Sequence, residues 1–178
     1  KKSIKSDNQN ASTYSNLANS LIETEEFDLA LKPAEKCHKL NDNQPFYIIT
    51  LGRVLLGLKR YEDALKVFNK LKMIAPNVPS SYYFIVNTLL ELKRYKEIID
   101  LLNSVDHLIK NQANLLNILG LAYLEINEVD KSIDNFNAAK IVDPNNSNSY
   151  LNLSKAYKKK GKNKESQVEF DKYQSIIK

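Results

Sequence analysis

The chain has one cysteine, two histidines, four glycines and five prolines in 178 residues. A single cysteine, Cys37, excludes an intrachain disulfide framework and suits a reducing, cytoplasmic compartment without fixing one. The two histidines, His38 and His107, stand far apart, and no Gly-rich phosphate loop, zinc-ligand spacing or Ser-His-Asp set accompanies them. Cys37 and His38 are adjacent, so on a helix their side chains diverge by about 100° and are poorly placed to share a metal. Sparse Gly and Pro favour helices over many short strands. No apolar run approaches the roughly 18 residues that a membrane-spanning helix needs. These absences point away from a catalyst, a metal centre, a disulfide scaffold and a membrane helix.

Hydrophobic residues make up 43% of the chain and charged residues 26%, a globular balance. The length is enough to bury a sizeable core. Net charge is +5, and the plentiful Lys and Asn are also what an AT-rich coding sequence would give. The chain begins at Lys1 without a methionine or a signal-like segment, so a piece of a longer protein is expected, with any targeting signal outside it.

Stepping along the sequence by 34 residues reveals a repeat. Leu17 falls on Leu51, Ile85, Leu119 and Leu153, and Leu21 falls on Leu55, Leu89, Tyr123 and Tyr157. Tyr14 falls on Ile48, Tyr82, Leu116 and Tyr150. All of these are apolar or aromatic. At 43% hydrophobic residues, chance agreement is about 0.43 to the fifteenth power, roughly three in a million before frame choice is discounted.

Other columns carry different chemistry. Ala18, Gly52 and Gly120 are small, as are Ala30, Ala64, Ser132 and Ser166 on the following helix. Small residues facing each other let two helix axes approach closely. Ala34, Phe68, Leu102, Phe136 and Phe170 form a ridge that fills the space between neighbouring pairs. Pro76 and Pro144 follow the second helices, where a residue that cannot continue a helix sets a sharp exit.

These columns, clearest in Leu119-Gly120, Tyr123, Phe136, Ala139 and Pro144, resemble the signature of the tetratricopeptide repeat (TPR) family. The frame gives five repeats without insertion, 11–44, 45–78, 79–112, 113–146 and 147–178, behind a flanking segment 1–10 expected to be poorly ordered. The resemblance implies an all-α fold, a right-handed superhelical solenoid of stacked antiparallel helix pairs. First helices would line a concave groove and second helices the convex side. Each pair has more apolar surface than it can bury alone, so stacking is also what the pattern demands.

Helices are expected near 11–23 and 28–40, 46–58 and 62–75, 80–92 and 96–108, 113–126 and 130–142, and 147–160 and 164–177. Repeat 79–112 departs from the pattern, with Val86 and Ile98 where small residues belong and Lys110 in the Pro column. A looser or tilted pair is expected there. Pro33 falls inside a second helix and invites a bend. Cys37 shares a column with Leu71, Val105, Ala139 and Tyr173 and reads as core.

The resemblance places partner contacts on the inner face of the first helices. Those columns hold Asn16 and Asn19 in the first repeat and Phe46, Ile49, Thr50 and Arg53 in the second. The third offers Tyr83, Phe84 and Asn87, the fourth Asn117, Ile118 and Leu121, and the fifth Asn152 and Lys155. An apolar middle rimmed by amides suits an extended peptide, since Asn both donates and accepts. An amphipathic helix is equally compatible. The clamp with which some TPR domains grip a C-terminal carboxylate is missing: the matching columns hold Ser15, Asn19, Thr50, Ser80 and Phe84, and only Asn19 fits.

Charge is uneven. The turn inside the first pair carries Glu23, Glu25, Glu26 and Asp28, and that of the last carries Lys158, Lys159, Lys160, Lys162 and Lys164. Solvation explains both, with lysines also favoured at a helix C-terminus; the sharper expectation is head-to-tail self-association. The expected function is a non-enzymatic protein-protein interaction scaffold, with no cofactor, no metal and a protein or peptide partner. One alternative is a regulatory or substrate-recruiting segment of a larger enzyme, as in TPR-bearing glycosyltransferases. The other is an RNA-binding helical repeat, which the 34-residue period and the lack of a continuous basic stripe disfavour.

Overall fold

The computed structural model describes residues 2–178, with side chains from Asn10 onward. Among them every regular element is a helix. In order these are α1 (Lys2–Glu23), α2 (Phe27–Leu40), α3 (Pro45–Gly57), α4 (Tyr61–Ile74), α5 (Pro79–Glu91), α6 (Tyr95–Asn103), α7 (Asp106–Ile109), α8 (Ala113–Glu125), α9 (Val129–Val142), α10 (Ser147–Lys159) and α11 (Asn163–Ile177). The chain divides into two compact units, Lys1–Thr88 and Leu89–Lys178. In the first, α1 pairs with α2 and α3 with α4, and α2 packs on α3. In the second, α8 pairs with α9 and α10 with α11, and α9 packs on α10.

The small columns sit where helices touch. Phe136 of α9 is fully buried, and a Cβ on Gly120 of α8 would lie 2.5 Å from its ring. Phe68 of α4 is likewise buried, and a Cβ on Gly52 of α3 would lie 2.2 Å from it. A phenyl ring set against a bare backbone is therefore the joint inside each of these pairs. Phe136 continues outward into a cluster with Leu153 and Ala156 of α10, which joins one pair to the next. In the first unit Cys37 of α2 does the same with Tyr47 of α3 and Ala11 of α1.

Each first helix ends in the same way. Glu25, Lys59, Lys93, Asn127 and Gly161 all adopt positive φ, between 56° and 78°, at intervals of one repeat. The next amide reaches back five residues: Glu26 to Leu21, Arg60 to Leu55, Arg94 to Leu89, Glu128 to Tyr123 and Lys162 to Tyr157, at 2.8 to 2.9 Å. This is the left-handed closure that satisfies the last free carbonyls of a helix. Exits from second helices are set by proline with tyrosine: the Tyr82 hydroxyl donates to the Pro76 carbonyl at 2.6 Å, and Tyr150 to Pro144 at 2.9 Å.

Two expectations shift. The first helix, expected from residue 11, has a backbone that runs from Lys2, so most of the segment 1–10 is continuous with α1. Whether Lys1 or the side chains before Asn10 are ordered lies outside the described residues. The helix expected over 96–108 is broken, α6 ending at Asn103 and α7 occupying one turn. The Ser104 hydroxyl turns back onto the Leu101 carbonyl at 2.6 Å, a local bond that competes with helix continuation. Pro33 is accommodated inside α2, which continues to Leu40.

Candidate functional site

In the first unit the inner-face columns lie on α1, α3 and the first part of α5. Phe46 is 52% exposed and Tyr83 38% exposed. Asn16 and Arg53 are exposed, while Ile49, Phe84 and Asn87 are half-buried. The exposed rings are held from beneath. Phe46 meets Tyr47 edge-on with centroids 6.2 Å apart, and Tyr83 meets Phe84 edge-on at 5.8 Å. Phe84 in turn stacks on Phe68 at 5.0 Å. Asn87 bonds its own helix, donating to the Tyr83 carbonyl at 2.7 Å.

Asn19 and Thr50 serve the fold. Thr50 is 1% exposed and lies 3.4 Å, hydroxyl to hydroxyl, from the fully buried Ser15. The Asn19 amide donates to the Ser15 carbonyl at 2.9 Å and to the Thr50 hydroxyl at 3.2 Å. Arg53 donates to the Asn19 side-chain oxygen at 3.3 Å. These four residues form a polar ladder that fixes α1 against α3, and burial removes Thr50 from any ligand.

In the second unit the same columns are more completely covered. Asn117, Ile118 and Asn152 are 5%, 6% and 7% exposed. The Asn117 amide donates to the Ser149 hydroxyl at 2.8 Å, and Asn146 donates to Asn114 at 3.2 Å, so amides again tie one first helix to the next. The Asn117 side-chain oxygen is buried with no hydrogen-bond partner. Leu121 packs partly into the Phe136 cluster, and Lys155 is exposed. The sequence pattern places these residues on inward-facing columns but does not register how closely α8 and α10 approach.

The charged turns are exposed, yet several lysines are already engaged. Lys159 donates to the Leu124 carbonyl at 2.8 Å, and Lys160 pairs with Asp130, which raises its pKa. Lys162 lies 3.6 Å from Glu165 and over the Tyr157 ring. Lys158 and Lys164 are exposed, as are Glu23, Glu25, Glu26 and Asp28.

Cys37 is fully buried, its thiol 3.2 Å from the Ala34 carbonyl, and burial pushes its pKa up so that it stays a neutral thiol. His38 Nδ1 is buried without a hydrogen-bond partner, and burial, with Lys70 second, pushes its pKa down. Among the described residues no group of three or more His, Cys, Asp or Glu is placed to hold a metal. No helix among them is long and apolar enough to cross a membrane. One feature had no sequence signal beyond the missing proline at Lys110. The break between α6 and α7 leaves a cleft of about 380 Å³ with Asn103, Asp106 and Lys110 at its rim and Leu116 and Leu119 as its floor.

Antiparallel helix pairs on a 34-residue period, with ring-on-glycine joints and a repeated left-handed turn, define a helical-repeat protein. A family model described as "Tetratricopeptide repeat" matches residues 47–78 and 147–178. These matches support a TPR repeat protein, and the fold class is the all-α TPR solenoid. No curated protein sequence matches it. Among solved structures it is similar to MamA from Desulfovibrio magneticus RS-1, with 24% identity and a TM-score of 0.80 over 94% of this chain and 95% of that one. It is similar to TTC0263, a thermophilic TPR protein of Thermus thermophilus, with 20% identity and a TM-score of 0.76 over 93% and 91%. A third is YrrB, described as "a TPR protein with an unusual peptide-binding site", at 22% identity and a TM-score of 0.70 over 98% and 90%. These likenesses are of fold.

Proposed function

We propose that the chain is a non-catalytic interaction scaffold that holds a short peptide against the inner face of its first unit. The observation that carries this reading is the exposure of Phe46 and Tyr83, two large rings presented to solvent from helices whose other inward residues are buried, half-buried or spent on the ladder. Exposed aromatic rings fixed from below are the usual anchors of a binding surface, because they add contact area at little cost in side-chain entropy. Arg53, exposed and only partly committed to Asn19, adds positive charge beside them. The favoured ligand is a peptide with an aromatic or aliphatic residue close to a carboxylate.

Ile49, Phe84 and Asn87 shape the floor, and Asn16 supplies a free amide at the edge. Leu121 and Lys155 are the corresponding accessible positions of the second unit. The likeness to a solved TPR protein described as having a peptide-binding site supports the class of partner. The test is fluorescence polarisation with synthetic peptides pairing Phe or Leu with Asp, against the same peptides with Ala in the apolar position. The Phe46→Ala/Tyr83→Ala double variant should bind the first set about tenfold more weakly. Equal binding by both proteins would remove this surface as the site.

A further inference from the structure

We propose that copies of this chain associate head to tail, the α1 face of one molecule docking on the α11 face of the next. The register is the one that joins neighbouring repeats inside the second unit. This goes beyond the peptide-binding reading and uses none of its residues.

The interior joint has a defined chemistry. Phe136 of α9 is fully buried against Leu153 and Ala156 of α10. Beside it the turns meet, Lys159 reaching the Leu124 carbonyl and Lys160 pairing with Asp130. The two outer helices carry unfilled halves of the same joint. Phe170 of α11 stands in the column of Phe136 but is half-buried, with the Tyr173 ring 5.9 Å away. Leu17 of α1 stands in the column of Leu153 and is 49% exposed, against 0% for Leu153.

Setting residues 11–44 of a second copy one repeat beyond residues 147–178 lays Leu17 over Phe170, as Leu153 lies over Phe136. Glu23 then takes the place of Lys159, losing the bond to a backbone carbonyl that Lys159 makes at Leu124 but standing next to Lys158, which occupies the Leu124 column. Thr24, flanked by Glu23 and Glu25, takes the place of Lys160, and the residue it meets is Lys164 in place of Asp130. The interior Lys160–Asp130 pair thus becomes Thr24 opposite Lys164, with the acids Glu23 and Glu25 beside Thr24 on the incoming turn and base on the receiving one. Glu23, Glu25, Lys158 and Lys164 are all exposed. Complementary charge and the apolar pair thus name a second copy as the occupant.

The joint is also weaker by composition. Ser20 replaces Ala156, and Gln167 replaces Ile133, so less apolar area is buried and charge carries more of the contact. Such a contact is reversible and salt-sensitive. Because it is heterologous, it extends into chains wherever its rotation does not close a ring.

Sedimentation velocity on the 178-residue chain tests this. At low salt the weight-average sedimentation coefficient should rise with concentration, and raising salt from about 0.05 to about 0.5 M should weaken association about tenfold. Glu23→Lys/Glu25→Lys and Lys158→Glu/Lys164→Glu should each stay monomeric, and their mixture should associate again, since each supplies the charge that the other has lost. Circular dichroism and urea midpoints matching the wild type would show that the reversals act on the joint and not on folding. A wild-type monomer at low salt and high concentration, assembly indifferent to both reversals, or a monomeric mixture would overturn the proposal. So would loss of assembly in Phe46→Ala/Tyr83→Ala, which would place the contact on the inner face.

Discussion

The Tyr150 hydroxyl donates to the Pro144 carbonyl at 2.9 Å, closing the link between α9 and α10. Tyr82 and Pro76 make the same bond two repeats earlier, at 2.6 Å. Proline ends the second helix, and the next tyrosine uses the carbonyl that proline leaves free. Because Tyr150 is 7% exposed, water does not easily replace the bond. Tyr150→Phe should cost about 1 kcal/mol in urea denaturation while leaving the helical spectrum unchanged.

A larger effect is expected at Gly120. The Phe136 ring occupies the space where a Cβ would sit, 2.5 Å from its nearest atom, and the ring is fully buried with nowhere to move. Gly120→Ala gains helix propensity but forces the pair apart. The net result should be a loss of about 1–3 kcal/mol, read from the urea midpoint. If the variant is as stable as the wild type, the ring has room that its burial denies.

The repeated turn gives two substitutions of opposite sign. Lys59 and Gly161 hold the same left-handed conformation, with φ of 57° and 78°. A Cβ at Gly161 would touch nothing within 4 Å, so Gly161→Ala isolates the backbone cost. It should destabilise by about 1 kcal/mol, and Lys59→Gly should stabilise by a similar amount. Equilibrium unfolding of the two variants beside the wild type checks both signs at once.

How far the fold is legible in the sequence depends on where each feature takes its cause. The Leu17, Leu21 and Tyr14 columns, and the small Gly120 and bulky Phe136 columns, follow from the identity of residues at fixed spacing, so the period exposes them, but it does not say that the Phe136 ring packs on Gly120 within one pair. The left-handed turn does not, because Glu25, Lys59 and Lys93 carry none of the Gly or Asn preference that marks such a position. The break after Asn103 rests on a local bond of Ser104, an unremarkable residue in a helical pattern. At the inner face the columns say where a residue falls along its helix, yet Asn19, Thr50 and Asn117 tie helix to helix. Burial there depends on how near the next first helix comes, which side-chain type does not encode.

Acid should weaken the fold through His38. Burial, then Lys70, lowers its folded pKa below 6.5, against a smaller opposing pull from Asp42. As pH falls the unfolded chain takes up the proton first, so this contribution is complete above about 6.5 and is lost as pH drops through the folded value. The urea midpoint should fall between about pH 7 and pH 5, and His38→Gln should flatten that slope. Asp42, Asp63 and Glu97, whose pKa values are also lowered, start from 3.8, 3.8 and 4.5 and act at more acidic pH. An unchanged slope in His38→Gln would assign the effect elsewhere.

Two amides of α1, Asn19 and Asn16, should separate structure from binding. Asn19 links Ser15, Thr50 and Arg53, so Asn19→Ala leaves a buried hydroxyl and a guanidinium without their shared partner. Thr50 still donates to the Phe46 carbonyl at 2.9 Å, which limits the damage to the joint between α1 and α3. A loss of about 1–2 kcal/mol is expected. Asn16, exposed on the same helix, should tolerate alanine within about 0.5 kcal/mol. Were Asn19 a ligand-binding amide only, both substitutions would leave the urea midpoint alone. A shared indifference would therefore return Asn19 to the binding surface and dissolve the ladder.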